Sequence, residues 1–185
     1  PDADRVGCVI RDNRGEYVLI NGNQIAMILL YYLMTRNAEL GKLTGKEYIV
    51  KTIVTTETIK SIADANNIKM YDCYTGFKWI ASVMADYEKT GRNNYVFGFE
   101  ESYGYNVETD VRDKDGVSAA AMCAEMTLYW RSQGKSLLER LEELYTQFGY
   151  FEDRAIAKNF PGASGGETMK AIMSKLREEG LKTLA

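Results

Sequence analysis

A pair of aspartates near the start of the sequence is the first group suited to chemistry. Asp2 and Asp4 stand two residues apart in a polar stretch, with Arg5 beside them. Alternate carboxylates on an extended chain can converge on one hard cation, and Mg²⁺ prefers a few carboxylates together with phosphate oxygens. An adjacent arginine can bind those phosphate oxygens through two hydrogen bonds. A two-aspartate pattern has low specificity, so a metal role and a solvated loop stand as equal alternatives.

Two further polar groups follow apolar, strand-like segments. Glu100 to Ser102 offers carboxylates and a hydroxyl, which suit the binding of sugar hydroxyls, although the triplet alone favours an ordinary polar turn. Lys78 lies one turn into a predicted helix, behind Thr75 and Gly76. The helix dipole disfavours a lysine at that place, which indicates a partner or a functional role. A surface lysine is the alternative, and in isolation it is the favoured one.

Two other segments have more ordinary interpretations. Asp113 to Gly116 contains the start of a calcium-loop pattern, but the later acidic ligands are missing, so the sequence favours a turn followed by a helix N-cap. Gly162 to Gly166 precedes a helix and could bind an anion there. Without a following Gly-Lys-Ser/Thr it is not a P-loop, and a flexible hinge is the better interpretation.

Composition excludes several classes of protein. The 185 residues include no histidine, which excludes every mechanism that needs imidazole. The net charge of −3 argues against nucleic-acid and membrane-surface partners, and no apolar run is long enough for a membrane span. Three widely spaced cysteines exclude a disulfide framework and indicate a reducing compartment, so we expect a cytoplasmic protein.

The elements that must position these groups alternate between strand and helix. A hairpin is predicted over the first twenty residues, and later apolar runs at Tyr48–Val54, Ile68–Tyr71 and Tyr95–Phe99 alternate with segments of helical periodicity. Thr55 and Thr56 are predicted to cap the helix after the first of these strands. This alternation predicts an α/β sheet covered by helices on both faces, with binding groups at the carboxyl ends of the strands.

The order of four motifs resembles the α-D-phosphohexomutase superfamily, and more narrowly its bacterial phosphoglucomutase/phosphomannomutase branch. These motifs are Asp-Ala-Asp-Arg, Thr-Gly-Phe-Lys-Trp, Phe-Glu-Glu-Ser-Tyr-Gly, and Lys-Asp-Gly-Val at the start of an alanine-rich helix. Proteins of this family have four domains. The resemblance implies that residues 1–20 end the second domain, 21–148 form the third, and 149–185 form a connector strand and helix towards the fourth. The implied fold is a three-layer sandwich with a mixed, mostly parallel sheet of about four strands.

The resemblance also implies roles for individual residues. Asp2 and Asp4 match the last two aspartates of the family's magnesium loop and Arg5 its arginine, while the first aspartate would precede Pro1, so we expect an incomplete site. The resemblance implies that Glu100 and Ser102 hold sugar hydroxyls. By the same resemblance, Thr75 and Gly76 contact substrate and Lys78 transfers a proton or positions the sugar. Phe99 stands where many relatives have glycine.

The family's reaction interconverts hexose 1-phosphate and 6-phosphate through a phosphoserine enzyme and a bisphosphate intermediate. The resemblance therefore implies a hexose phosphate as substrate and the remaining domains of a longer chain as partners. Neither the serine loop nor the fourth-domain phosphate loop is recognisable in this sequence, so we expect residues 21–148 to fold but the chain alone to be inactive. A phosphopentomutase, a metal-dependent sugar-nucleotide transferase and a non-catalytic α/β interaction module are the alternatives.

Overall fold

A computed structural model describes residues 2–91, 94–154, 156, 158–162 and 164–180. The chain divides into two compact units, Pro1–Asp153 and Arg154–Ala185. The strands of the first unit are β1 (Cys8–Arg11), β2 (Tyr17–Ile20), β3 (Tyr48–Thr52), β4 (Lys69–Cys73), β5 (Tyr95–Glu100) and β6 (Gly104–Asn106). Its helices are α1 (Gly22–Glu39), α2 (Thr58–Ala65), α3 (Phe77–Lys89), α4 (Gly116–Ser132) and α5 (Leu137–Phe148). The second unit contains α6 (Gly165–Glu179).

The main sheet has four strands in the order β4-β3-β5-β6. Strand β3 runs parallel to both β4 and β5, and only β6 is antiparallel to its neighbour. All five residues of β3 are buried, as expected for a central strand that is covered on both faces. The predicted mixed, mostly parallel sheet is therefore confirmed.

Helices cover both faces of this sheet and make it the middle of three layers. On one face, Ile49, Phe97 and Phe99 join a core with apolar side chains of α1, α2, α4 and α5. On the other face, Tyr48 and Val50 pack with residues of α3. Phe99, the departure from the family pattern, is fully buried and stacks on Phe97 with 4.7 Å between ring centroids.

Local sequence signals set several element boundaries. The hairpin pairs β1 with β2 in antiparallel register, with Cys8 opposite Ile20. Ser136 and Glu139 form the capping box at the start of α5. Asp115 caps α4 by accepting hydrogen bonds from the backbone N–H groups of Val117 and Ser118, which confirms the turn and N-cap interpretation of that segment.

Three details differ from the sequence predictions. The N-cap of α2 is Glu57, so the prediction for Thr55 and Thr56 was wrong; both side chains form hydrogen bonds to other threonines instead. Strand β6 was not predicted, because it is three residues long and begins with glycine. The described residues between 150 and 162 form no strand, since no neighbouring strand pairs with them. Within the part of the chain described here, no helix is both long and apolar enough to cross a membrane.

Candidate functional site

The carboxyl ends of β3, β4 and β5 meet at one edge of the sheet. The register aligns Thr52 with Cys73 and Lys51 with Phe99, so the loops that follow these parallel strands leave side by side. This is the edge at which open α/β sheets bind ligands. The loops contain the Thr-Gly-Phe-Lys segment after β4 and the Glu-Glu-Ser segment after β5.

A hydrogen bond joins these two loops directly. The Gly76 backbone N–H donates to Glu100 Oε1 over 2.9 Å. The Glu100 side chain is buried, and the residue is only 5% exposed. Gly76 has φ of +116°, in the region that favours glycine, so its backbone can turn its N–H towards the carboxylate. Glu100 therefore fixes the start of α3 relative to the end of β5. No described residue donates a hydrogen bond to its second carboxylate oxygen, Oε2.

The other predicted sugar-contacting residues lie within two positions in sequence of one end of this hydrogen bond. Thr75 is exposed and Ser102 is half-buried in the turn between β5 and β6. Lys78 is exposed on the first turn of α3, with its Nζ 5.3 Å from the ring centroid of Trp79. Among the described residues Lys78 forms no ion pair, so its ammonium group is available to a ligand.

The Asp-Ala-Asp-Arg segment lies against the same turn. Arg5 pairs with Gly104 as an antiparallel bridge, and the Val6 N–H donates to the Tyr103 carbonyl over 3.2 Å. At the start of α4, the Gly116 N–H donates to the Ala3 carbonyl over 3.0 Å. Two segments that are about 100 residues apart in sequence therefore lie together at the edge strand β6.

Lys114 links this segment to the sheet edge, a role that its place at the start of the Lys-Asp-Gly-Val motif did not predict. Its Nζ lies 3.2 Å from Asp4 Oδ2, 2.9 Å from Asp113 Oδ1 and 5.5 Å from the ring centroid of Phe77. The aliphatic part of the Lys114 side chain packs directly on Gly104. A Cβ atom at position 104 would lie only 2.3 Å from Lys114 Cδ. The sequence did contain a signal for a functional lysine, because Lys114 lies between two aspartates and directly before an N-cap. The same two aspartates, however, are typical of a turn.

The charges in this group support one another. The hydrogen bond from Lys114 lowers the pKa of the Asp4 carboxyl, and the positive charges of Lys114 and Arg5 act in the same direction. Burial acts to lower the pKa of Lys114, but its hydrogen bonds to Asp113 and Asp4 outweigh burial and raise it. Both effects favour the ionised pair.

Lys51 is a second residue that sequence reasoning missed. It is fully buried at the end of β3, where its Nζ lies 2.8 Å from Asp72 Oδ1 and 2.9 Å from Glu57 Oε1. The same ammonium group donates to the Thr55 carbonyl over 3.1 Å. A lysine inside the apolar run Tyr48–Val54 was the signal, because a buried charge in a strand requires partners. Lys51 holds the loop after β3 in place.

The residues present match only part of a magnesium site. Asp2 and Asp4 stand two residues apart, and Asp2 contributes to lowering the pKa of the Asp4 carboxyl. Among the described residues, no three acidic or cysteine side chains are close enough to hold one ion. Mg²⁺ is often held by one or two protein carboxylates together with substrate phosphate, so this pair fits as part of a site. The ion would share Asp4 with Lys114.

Comparison with known proteins identifies the family. Residues 21–148 match the family model for the α/β/α domain III of phosphoglucomutase and phosphomannomutase. The chain belongs to this family. A phosphoglucomutase of Staphylococcus aureus is 35% identical over 191 aligned residues, and that of Staphylococcus saprophyticus is 32% identical over 179. These alignments cover 100% and 97% of the chain but only 34% and 32% of the relatives, so it spans about a third of their length.

Solved structures show the same fold. A phosphomannomutase structure from Thermus thermophilus has a TM-score of 0.61 at 23% identity, covering 80% of this chain and 29% of that one. The open form of parafusin, a phosphoglucomutase from Paramecium, has a TM-score of 0.55 at 20% identity, covering 96% of this chain and 29% of that one. The family model and the staphylococcal relatives confirm the expected membership of the α-D-phosphohexomutase superfamily.

Proposed function

We propose that this chain supplies the sugar-recognition part of a phosphohexomutase that interconverts hexose 1-phosphate and hexose 6-phosphate. The observation that carries the proposal is the hydrogen bond from Gly76 to Glu100, because it brings two of the family motifs to one edge of the sheet. The similarity to staphylococcal phosphoglucomutases supports glucose phosphates as the substrates. An N-acetylphosphoglucosamine mutase of Aspergillus fumigatus shares the fold, with a TM-score of 0.53 at 15% identity over 80% of this chain and 34% of that one. Its structure contains GlcNAc-6P and magnesium.

The proposed roles follow from what each side chain offers. Glu100 Oε2 and the Ser102 hydroxyl accept hydrogen bonds from neighbouring sugar hydroxyls, while Thr75 and Gly76 contact the substrate from the adjacent loop. A mutase must hold its sugar in two opposite orientations. Paired acceptors serve both orientations, because adjacent hydroxyls can exchange places against them. The exposed ammonium group of Lys78 positions the sugar or transfers a proton.

Arg5, Asp2 and Asp4 would act on the phosphate. The Arg5 guanidinium can bind phosphate oxygens through two hydrogen bonds. Asp2 and Asp4 would be the residues of this chain that hold Mg²⁺. When bound, the ion neutralises negative charge on the transferred phosphoryl group, which is an electrostatic task that needs no imidazole.

The family reaction runs through a phosphoserine enzyme and a bisphosphate intermediate, and we propose that other domains of a longer chain supply the serine. We therefore expect no mutase turnover from the 185-residue chain alone. A coupled assay from glucose 1-phosphate to glucose 6-phosphate tests this, and measurable turnover would contradict it. A cytoplasmic location is part of the same proposal, since the free cysteines suit a reducing compartment.

Binding by variants tests the assigned roles. We expect Ser102→Ala to weaken binding of glucose 1-phosphate by about 2- to 12-fold, the value of one ordinary hydrogen bond. Lys78→Met should weaken it as well. Lys60→Met is a matched control, because Lys60 is an exposed helix lysine on α2 that is paired with Asp64. Equal affinities for Lys78→Met and Lys60→Met, or no binding by any form, would contradict the proposal.

A further inference from the structure

A short series of hydroxyl groups connects β3 to the turn that contains Ser102. The hydroxyl oxygens of Thr55 and Thr52 lie 2.8 Å apart, and Thr52 Oγ1 lies 3.3 Å from Glu101 Oε2. Thr52 is fully buried and Thr55 is 2% exposed, so water does not compete for these hydroxyls. The series crosses from the loop after β3 to the loop after β5.

The direction of these hydrogen bonds is determined by chemistry. A carboxylate oxygen accepts hydrogen bonds and has no proton to donate. The Thr52 hydroxyl must therefore donate to Glu101. Its oxygen is then free to accept from the Thr55 hydroxyl. Thr55 is held in turn by Lys51, whose ammonium group donates to the Thr55 carbonyl over 3.1 Å.

The backbone of the same turn is confined from another side by α1. An ideal Cβ on Gly22 would lie 1.9 Å from the Glu101 carbonyl oxygen, which shows how closely the helix approaches. The Tyr105 hydroxyl donates to the Gly22 carbonyl over 3.0 Å and fixes the strand after the turn to α1. Tyr103 has φ of +68°, an uncommon conformation for a residue with a side chain. A turn of this kind persists only where its surroundings hold it.

The two glutamates therefore hold the turn from two directions. Glu100 reaches the loop after β4 through Gly76, and Glu101 reaches the end of β3 through Thr52. Ser102 follows them directly in sequence. We propose that Thr52 and Glu101 are positioning residues, which fix the orientation of the Ser102 hydroxyl without touching the sugar. The inference rests on the proposed function, because it takes Ser102 as a sugar-binding residue.

Thr52→Val tests this inference, with Thr52→Ser as the matched control. Valine has the shape of threonine without the hydroxyl, whereas serine keeps the hydroxyl. We expect Thr52→Val to weaken binding of glucose 1-phosphate about tenfold, which is about 1.4 kcal/mol. Thr52→Ser should stay within about twofold of wild type, since it retains a charge-assisted hydrogen bond. Local hydrogen exchange at the Ser102 and Tyr103 amides should accelerate in Thr52→Val and not in Thr52→Ser.

Urea unfolding of the same variants measures their free energy of unfolding. This measurement distinguishes a global loss of stability from a local effect on the turn. Glu101→Met removes the acceptor of the same hydrogen bond and serves as the test if Thr52→Val does not fold. It should show the same faster exchange at residues 102–103 and the same weaker binding. Unchanged affinity and unchanged exchange at residues 102–103 in either variant would overturn the inference. If wild type binds no hexose phosphate, the proposed function fails, while the exchange data still decide whether Thr52 and Glu101 hold the turn.

Discussion

Replacing Gly22 with alanine tests how tightly α1 supports the candidate site. The added Cβ would meet the Glu101 carbonyl oxygen at 1.9 Å, the Glu101 carbonyl carbon at 2.8 Å and the Tyr103 nitrogen at 3.1 Å. All three are backbone atoms, so no side-chain rotation can relieve the contact. Either α1 or the turn between β5 and β6 has to move.

The expected change in the free energy of unfolding is the balance of two effects, overpacking and helix propensity. Overpacking of a close-packed interior costs about 1–3 kcal/mol and occasionally more. Alanine recovers at most about 1 kcal/mol through its higher helix propensity. We expect the free energy of unfolding to fall by roughly 2 kcal/mol, which lowers Tm by roughly 4–8 °C for a chain of this size. Binding of glucose 1-phosphate should weaken as well, because the displaced turn contains Ser102.

Urea unfolding followed by circular dichroism measures the effect. Gly7→Ala is the matched control, since no heavy atom lies within 4 Å of a Cβ there and the φ of Gly7 is outside the left-handed region. That variant should unfold within about 0.5 kcal/mol of wild type. A Gly22→Ala variant as stable as wild type would refute the reasoning, because it would mean that the turn adjusts to α1 at no cost.

Two further predictions concern ionisation. Interaction with the neighbouring Cys123 thiol outweighs burial and lowers the pKa of the Cys8 thiol, whereas burial raises the pKa of the Cys73 thiol to about 11. Iodoacetamide should therefore modify Cys8 before Cys73, and mass spectrometry showing faster modification of Cys73 at about pH 7.5 would contradict this. Hydrogen bonds from Ser118 and the Val117 N–H lower the pKa of Asp115 in the folded protein, so its stabilisation is present above the unfolded pKa and is lost as pH falls through the folded pKa. Asp115→Ala should cost about 1 kcal/mol at about pH 7, and a difference from wild type that stays constant down to about pH 2 would exclude this account.

Local signals predicted those parts of the structure that depend on neighbours in sequence. Ser136 and Glu139 are three residues apart, which is the spacing of a capping box, and the box forms because both partners belong to one turn of chain. The hairpin and the alternation of strands and helices follow from the same short-range patterns. The layered α/β sheet was therefore predictable without knowledge of any contact between distant segments.

Features that depend on contacts between distant segments could not be predicted from local sequence signals. Thr55 and Thr56 are suitable N-caps, but the Thr55 hydroxyl bonds to Thr52, and the Thr56 N–H donates to Asn23 Oδ1 on α1. Strand β6 exists because β5 and Arg5 pair with it. Lys114 became recognisable as part of the site only once Asp4 was placed beside it.

Each motif taken alone was weak evidence for a function. The family was predicted from the order of the motifs along the chain. Asp2 and Asp4, Lys78, and Glu100 with Ser102 each had an ordinary alternative when considered alone. The structure places these segments around a single turn, with Gly76 bonded to Glu100 and Arg5 paired with Gly104. That these residues bind a hexose phosphate stays a prediction, and so does the choice between glucose and mannose phosphates, which differ in the orientation of one hydroxyl.

A titration of the ¹⁵N-labelled chain with glucose 1-phosphate, followed by amide chemical shifts, tests the central claim most directly. Inorganic phosphate at the same concentrations is the control for a simple anion effect. The account predicts saturable shifts confined to residues 75–78 and 98–104, with smaller or no shifts there from phosphate alone. Saturating shifts that cluster at the opposite edge of the sheet, or none at all up to tens of millimolar sugar phosphate, would contradict it.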